Sequence, residues 1–317
     1  MSLLVRQAEA VARHWVIEEV STIPGFHGAH VAGWANGLPD NAVVPATSDV
    51  DINVVFSGPS VPNNCRKVLY RDLLLDVTPL PLEPFRSPDL ILGDYHPAGG
   101  FRTRSIIMDP SGHLTGLQMA VSRDYAKRQW VRRCCEHARH KVLDGLAADE
   151  SASLPDHMIE WLFAAGRTTH VLLVAGLQNQ TVRRRGMAVW ELLAEYGQLA
   201  SYETLLELMG CARMSRCRVE QHLAALTEVF DMAKAVITTP FSFASDISEI
   251  ARPLAVDGSR DPIARGYHRE ATFWITVTYS RCQKELAVDA PPELQDQFDP
   301  GYRQLLGDLG ITSFADL

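Results

Sequence analysis

The chain has 317 residues, which at about 150 residues per domain suggests two domains. Hydrophobic residues make up 46% and charged residues 21%, proportions that exclude general disorder and any collagen-like or low-complexity class. With 30 basic and 38 acidic side chains the formal charge is −8, so general binding to a nucleic-acid backbone is disfavoured.

In chain order, Leu4, Ala8, Val11, Trp15, Ile17 and Val20 recur near helical spacing and predict an opening amphipathic helix, stopped by Gly25. The first residues turn polar at once, and no apolar run approaches the roughly 20 residues of a membrane span. Neither a secretory signal nor a membrane anchor is expected, and the cytoplasm is the expected location. From Gly25 to about residue 110 the texture is one of short apolar strands divided by Gly and Pro, predicted at 30–33, 49–56, 73–79 and 105–108. Asp109-Pro110-Ser111-Gly112 is a turn, with Pro second and Gly fourth. Helical patterns follow at 115–147, 155–178, 181–196, 202–209, 216–237, 263–287 and 300–309. The fold class expected is therefore α+β: a small domain with a mixed β-sheet at 1–114, then an all-helical domain at 115–317. The six cysteines, at 65, 134, 135, 211, 217 and 282, match neither a disulfide framework nor a zinc site.

One segment carries chemistry. Ala32-Gly33-Trp34-Ala35-Asn36-Gly37 precedes a loop and then Ser48-Asp49-Val50-Asp51-Ile52-Asn53. The second part alternates, with Asp49, Asp51 and Asn53 on one face and Val50, Ile52 and Val54 on the other. In a strand the two aspartates stand about 6.5–7 Å apart, close enough to converge on one divalent ion or to bridge two. They repel each other unless a cation intervenes, so the arrangement predicts a metal. A third carboxylate, Asp76, lies within the apolar run Leu73-Leu74-Leu75-Asp76-Val77-Thr78, where an unpaired acid should be expelled.

This pattern resembles the nucleotidyltransferase superfamily typified by DNA polymerase β and the antibiotic-modifying adenylyltransferases. Members carry a Gly-Ser-x-x-x-Gly turn, an Asp-apolar-Asp strand and a third acid on a later strand. The 32–37 segment is similar to the turn, Ser48-Asp49-Val50-Asp51 to the metal strand, and Asp76-Val77-Thr78 to the acid-Val-Thr step of the streptomycin/spectinomycin adenylyltransferases. The likeness is close over about the first third of the chain. In this register Ala32 and Gly33 replace Gly-Ser, so the serine hydroxyl is missing, although a bare Gly33 still lets a backbone N–H approach phosphate. Residues 34–48 also form a longer connection than is usual.

The resemblance implies a nucleotidyltransferase domain followed by a helical acceptor-binding domain. It implies two Mg²⁺ ions on Asp49, Asp51 and Asp76, with Asp76 also the base that deprotonates the acceptor hydroxyl. A nucleoside triphosphate, ATP first, would lie against Gly33, Trp34 and Ser48, with Arg102, Arg123 and Lys127 as candidate triphosphate contacts. Trp34 can stack on a ring or pin the turn, and the three cations can equally be solvated. The expected activity transfers a nucleoside monophosphate to a hydroxyl of a small molecule, with aminoglycoside-type antibiotics leading. Glu136, Asp144, Asp149, Glu150, Asp156 and Glu160 would be partners for such a polycation. A protein- or tRNA-modifying transferase of toxin–antitoxin type and a non-catalytic nucleotide binder are the alternatives. A monomer or a homodimer is expected.

Overall fold

A computed structural model describes residues 3–58, 61–62, 66–146, 151–179, 182–241 and 243–313, the side chain of Trp34 excepted. The protein is α+β and mostly helical, with a five-stranded mixed sheet and twelve α-helices among the described residues. Two units divide the chain: Met1–Ala138 with His170–Arg185, and Arg139–Thr169 with Gly186–Leu317. The unit that holds the sheet thus runs past residue 114 and regains a segment from far downstream.

In the first unit, the opening apolar pattern forms α1 (Val5–Trp15), which continues as a wider turn to Val20 and buries Ala8, Ala12, Trp15 and Val16. Next come β1 (Phe26–Val31), β2 (Val50–Phe56), β3 (Arg66–Tyr70) and β4 (Leu73–Pro81). Helices α2 (Pro88–Gly93) and α3 (Tyr95–Phe101) lead into β5 (Ile106–Met108), α4 (His113–Asp124) and α5 (Arg128–Gly145). Ser87 and Asp94 start α2 and α3 by accepting the backbone N–H groups of Leu90 and His96. The single long helix predicted at 115–147 is two, α4 and α5, parted at residues 125–127. Strand β3 and helices α2 and α3 have no counterpart among the elements predicted from the sequence.

The sheet order is β3-β4-β2-β1-β5. The chain leaves β2 for the edge strand β3 and returns by a tight hairpin into β4, so β4 lies parallel to β2 while the other pairs are antiparallel. Period-two alternation puts Val50, Ile52, Val54 and Phe56 of β2 and Leu73, Leu75 and Val77 of β4 into one core with α1. Burying each such side chain contributes about 1.5–3 kcal/mol. On the other face of β2, Asp51 and Asn53 come first and only Val55 joins the second core, with Phe85, Ile91, Leu92 and Leu114. That face is polar at the strand's beginning and apolar at its end.

The second unit takes the remainder of α5 and of α6 (Leu154–Ala175), then α7 (Arg185–Glu195), α8 (Leu199–Leu208) and α9 (Arg216–Val236). It ends with α10 (Gly258–Ala264), α11 (His268–Asp289) and α12 (Pro292–Asp308). It contains no strand among its described residues. Its centre is α11, buried along most of its length and packed on α9, α10 and α12. No helix is long and apolar enough to cross a membrane among the described residues.

Candidate functional site

Strand register assembles the site. Asp51 of β2 stands opposite Asp76 of the parallel strand β4, and Asp76 stands opposite Lys67 of the antiparallel strand β3. Neighbouring strands run about 4.8 Å apart, so Lys67, Asp76 and Asp51 form a row on one face of the sheet. Asp49 sits one step ahead of β2, buried at 8% exposure. Lys67, itself only 9% exposed, donates from Nζ to Asp49 Oδ2 at 2.8 Å and also to Asp76 Oδ2. An ammonium with so little water around it needs such partners.

The turn at 33–37 presses on this row. Gly33 has φ +65°, and a Cβ built there would lie 1.7 Å from Asp51 Oδ2, so only glycine fits. The Ala32 N–H donates to the Asp51 carbonyl at 2.9 Å, which ties the turn to the strand end. Gly33 then opens a single 3₁₀ turn through Ala35, and the side chain of Trp34 within it lies outside the described residues. Two asparagines brace this turn. Asn179, in the returning segment, donates from Nδ2 to the carbonyls of Gly33 at 3.1 Å and Asn36 at 3.0 Å. Asn36 donates to the Gly100 carbonyl at 2.7 Å and accepts from Thr103 Oγ1 at 2.6 Å. Gln118 of α4 in turn holds the Thr103 carbonyl at 2.5 Å.

Electrostatics mark Asp51 as the strained member. Burial, then the charges of Asp49 and Asp76, push its carboxyl up to about 8, against the opposing pull of Lys67 and Arg183. Three carboxylates close enough to repel one another are a donor set suited to a hard divalent cation. Yet among the described residues no three His, Cys, Asp or Glu side chains already stand in an ion-holding arrangement. Lys67 supplies the physical reason, because its ammonium engages Asp49 and Asp76 together. The residues fit a metal chemically, with a side-chain cation as the stand-in.

The other candidates divide. Ser48 is partly buried, and its N–H donates to the Pro45 carbonyl in the turn that leads to Asp49. Arg102 lies beside the 33–37 turn, within 3.8 Å of where a Gly37 Cβ would be, but its Nη1 donates to the Leu177 carbonyl at 2.6 Å. It secures the returning segment. Arg123 and Lys127 pair with Asp124 at the end of α4, at 3.0 Å and 2.8 Å, and these contacts hold the Asp124 carboxyl down at about 2. The structure ties both to Asp124 and to no group of the carboxylate row. Of the acids proposed for a cationic acceptor, Asp156 pairs with Lys284 and Asp144 with Lys141, and Asp149 and Glu150 lie outside the described residues. The second unit instead opens a cleft of about 590 Å³ lined by Trp190, Arg213, Arg265, Tyr267 and Arg269. The residues that join this site without being expected there from the sequence are Lys67, Asn179 and, through its charge on Asp51, Arg183. Lys67 carries no local signal, because its place beside Asp76 comes from the pairing of β3 with β4. Asn179 carries none either.

No protein-family model, curated protein or solved structure matches the chain.

Proposed function

We propose that the first unit is the catalytic part of a Mg²⁺-dependent nucleotidyltransferase, moving a nucleoside monophosphate, AMP from ATP in the first instance, to a hydroxyl of a small molecule. One observation carries the reading: Asp51 and Asp76 stand in register on parallel strands, Asp49 lies one step ahead, and the Gly33 turn abuts Asp51. Asp49, Asp51 and Asp76 would hold Mg²⁺, which when bound orients the triphosphate and offsets the charge on the leaving pyrophosphate. The chain's own residues supply the rest. Asp76, the more open partner of Lys67 with 30% of its side chain exposed against 12% for Asp49, would accept the acceptor's hydroxyl proton. The acceptor oxygen then bonds to the α-phosphorus, the bond from that phosphorus to the β-phosphate bridge breaks, and pyrophosphate leaves with the electron pair. Gly33, without a Cβ, leaves room for the Asp51 carboxylate against the turn.

Aminoglycoside-type acceptors lead on the resemblance alone. The test is single-turnover transfer from α-labelled ATP, for wild type and Asp76→Asn. Asparagine keeps the shape but takes no proton, so transfer should fall by about 10²–10⁴-fold, with nucleotide affinity less affected. Wild-type rates in the variant would remove Asp76 from the chemistry. Labelling of protein or tRNA in place of every small acceptor would move the assignment to a macromolecular substrate. An absence of both transfer and nucleotide binding would overturn it.

A further inference from the structure

The edge strand β3 brings a cation to the carboxylates, and three observations bear on what it does there. The first is register, which puts Lys67 beside Asp76 and in the same row as Asp51. The second is burial: Lys67 is 9% exposed, and its ammonium donates both to Asp49, ahead of β2, and to Asp76, on β4. The third is that, with three aspartates at adjacent positions, no trio of ligand side chains among the described residues is set to hold an ion. The ammonium engages one oxygen of each of two carboxylates that a shared divalent ion would also use.

We propose that Lys67 is the internal counter-cation of the carboxylate site: it holds Asp49 and Asp76 together in the ion-free protein and must release them before a divalent ion can bind. The inference rests on the nucleotidyltransferase reading and adds a control to that same site. A lysine suits the task because a compact charge sits on a flexible four-carbon stem and can swing away without moving the strand. Once displaced, it needs a new anion, and a triphosphate in the same site is one. Ion and nucleotide should therefore bind with positive coupling, each raising the affinity of the other by the same factor. A divalent ion alone should bind weakly, because it competes with a cation that is covalently part of the chain.

The experiment uses the full chain and Mn²⁺ alone, followed by electron paramagnetic resonance and calorimetry, for wild type, Lys67→Met and Lys67→Arg. Methionine keeps the length and removes the charge, so Lys67→Met should bind Mn²⁺ at least about tenfold more tightly than wild type. Its thermal midpoint should be lower than wild type in chelator and recover with Mn²⁺. Lys67→Arg retains the charge and should bind as weakly as wild type. A second measurement needs no variant: acetylation of Lys67 in the wild-type protein, read by peptide mass spectrometry, should rise as Mg²⁺ is added to saturation without nucleotide. Equal Mn²⁺ affinity in wild type and Lys67→Met would overturn the counter-cation role and leave the nucleotidyltransferase reading standing. So would Lys67 acetylation that stays constant while Mg²⁺ binds without nucleotide. No Mn²⁺ binding by any of the proteins, with or without ATP, would overturn both.

Discussion

Asp51 is the residue whose chemistry is most exposed to a simple measurement. Burial, then the charges of Asp49 and Asp76, push its carboxyl up to about 8, against 3.8 for an ordinary aspartate. Between those values the folded chain keeps a proton that the unfolded chain has released, so the native state binds more protons and stability falls as pH rises through the window. In metal-free buffer the thermal midpoint should drop from pH 6 to pH 9, and Asp51→Asn should flatten that drop. A variant with the wild-type slope would assign the pH dependence elsewhere. At this scale the sequence is partly legible. Asp49, Asp51 and Asp76 are readable from alternation and from an acid in an apolar run, because both signals are local. Lys67 does not stand out, because what makes it functional is the pairing of β3 with β4, and pairing is not written in the spacing of either strand alone.

At the scale of elements, the difficulty lies in the turns. The β3–β4 hairpin closes through Arg71 and Asp72, both left-handed at φ 49° and 62°. A two-residue hairpin of this kind normally advertises itself with Asn-Gly or Gly-Gly. Arg-Asp gives no such signal, and the charged start of Arg66-Lys67-Val68-Leu69-Tyr70 gives a weak strand, so the edge strand is hidden while the apolar β4 is plain. Arg71 compensates by pairing with Glu18 at 3.3 Å and lying over the Tyr70 ring at 5.0 Å. Short capped helices hide in the same way, as α2 and α3 span only six and seven residues and show too little of a helical period to read. The Gly33 turn makes the opposite case, a local motif whose meaning the structure sharpens. Gly33→Ala forces a Cβ against the Asp51 carboxylate at a positive φ, so it should cost more than about 1 kcal/mol of stability and weaken nucleotide binding together. Chemical denaturation and ATP titration of that variant check both. Unchanged affinity would free the turn from any part in nucleotide binding.

For the whole molecule, ligand binding and folding should be linked through the first unit. On the proposed function, Mg²⁺ with ATP would bind a cluster that exists only when β2, β3 and β4 are paired, and so should raise the thermal midpoint, by about 2.7 kcal/mol of stabilisation at 100 times the dissociation constant. ATP in chelator should give a smaller shift, and no shift with any nucleoside triphosphate at saturating Mg²⁺ would count against a nucleotide site. The α+β class and the succession of strands then helices can be read from texture. The extent of the first unit cannot, because residues 170–185 rejoin it after an intervening stretch of helix, and their own pattern is continuous with the helices on either side.

The brace on the Gly33 turn lies 146 residues downstream of it, at Asn179. Synthesis runs from the N-terminus at about 5–20 residues per second. The ribosome therefore delivers the sheet and its aspartates many seconds before the clamp that steadies their neighbouring turn. A chain halted after Thr103 but before Asn179 would present the carboxylates with the turn held by the Asn36 brace alone.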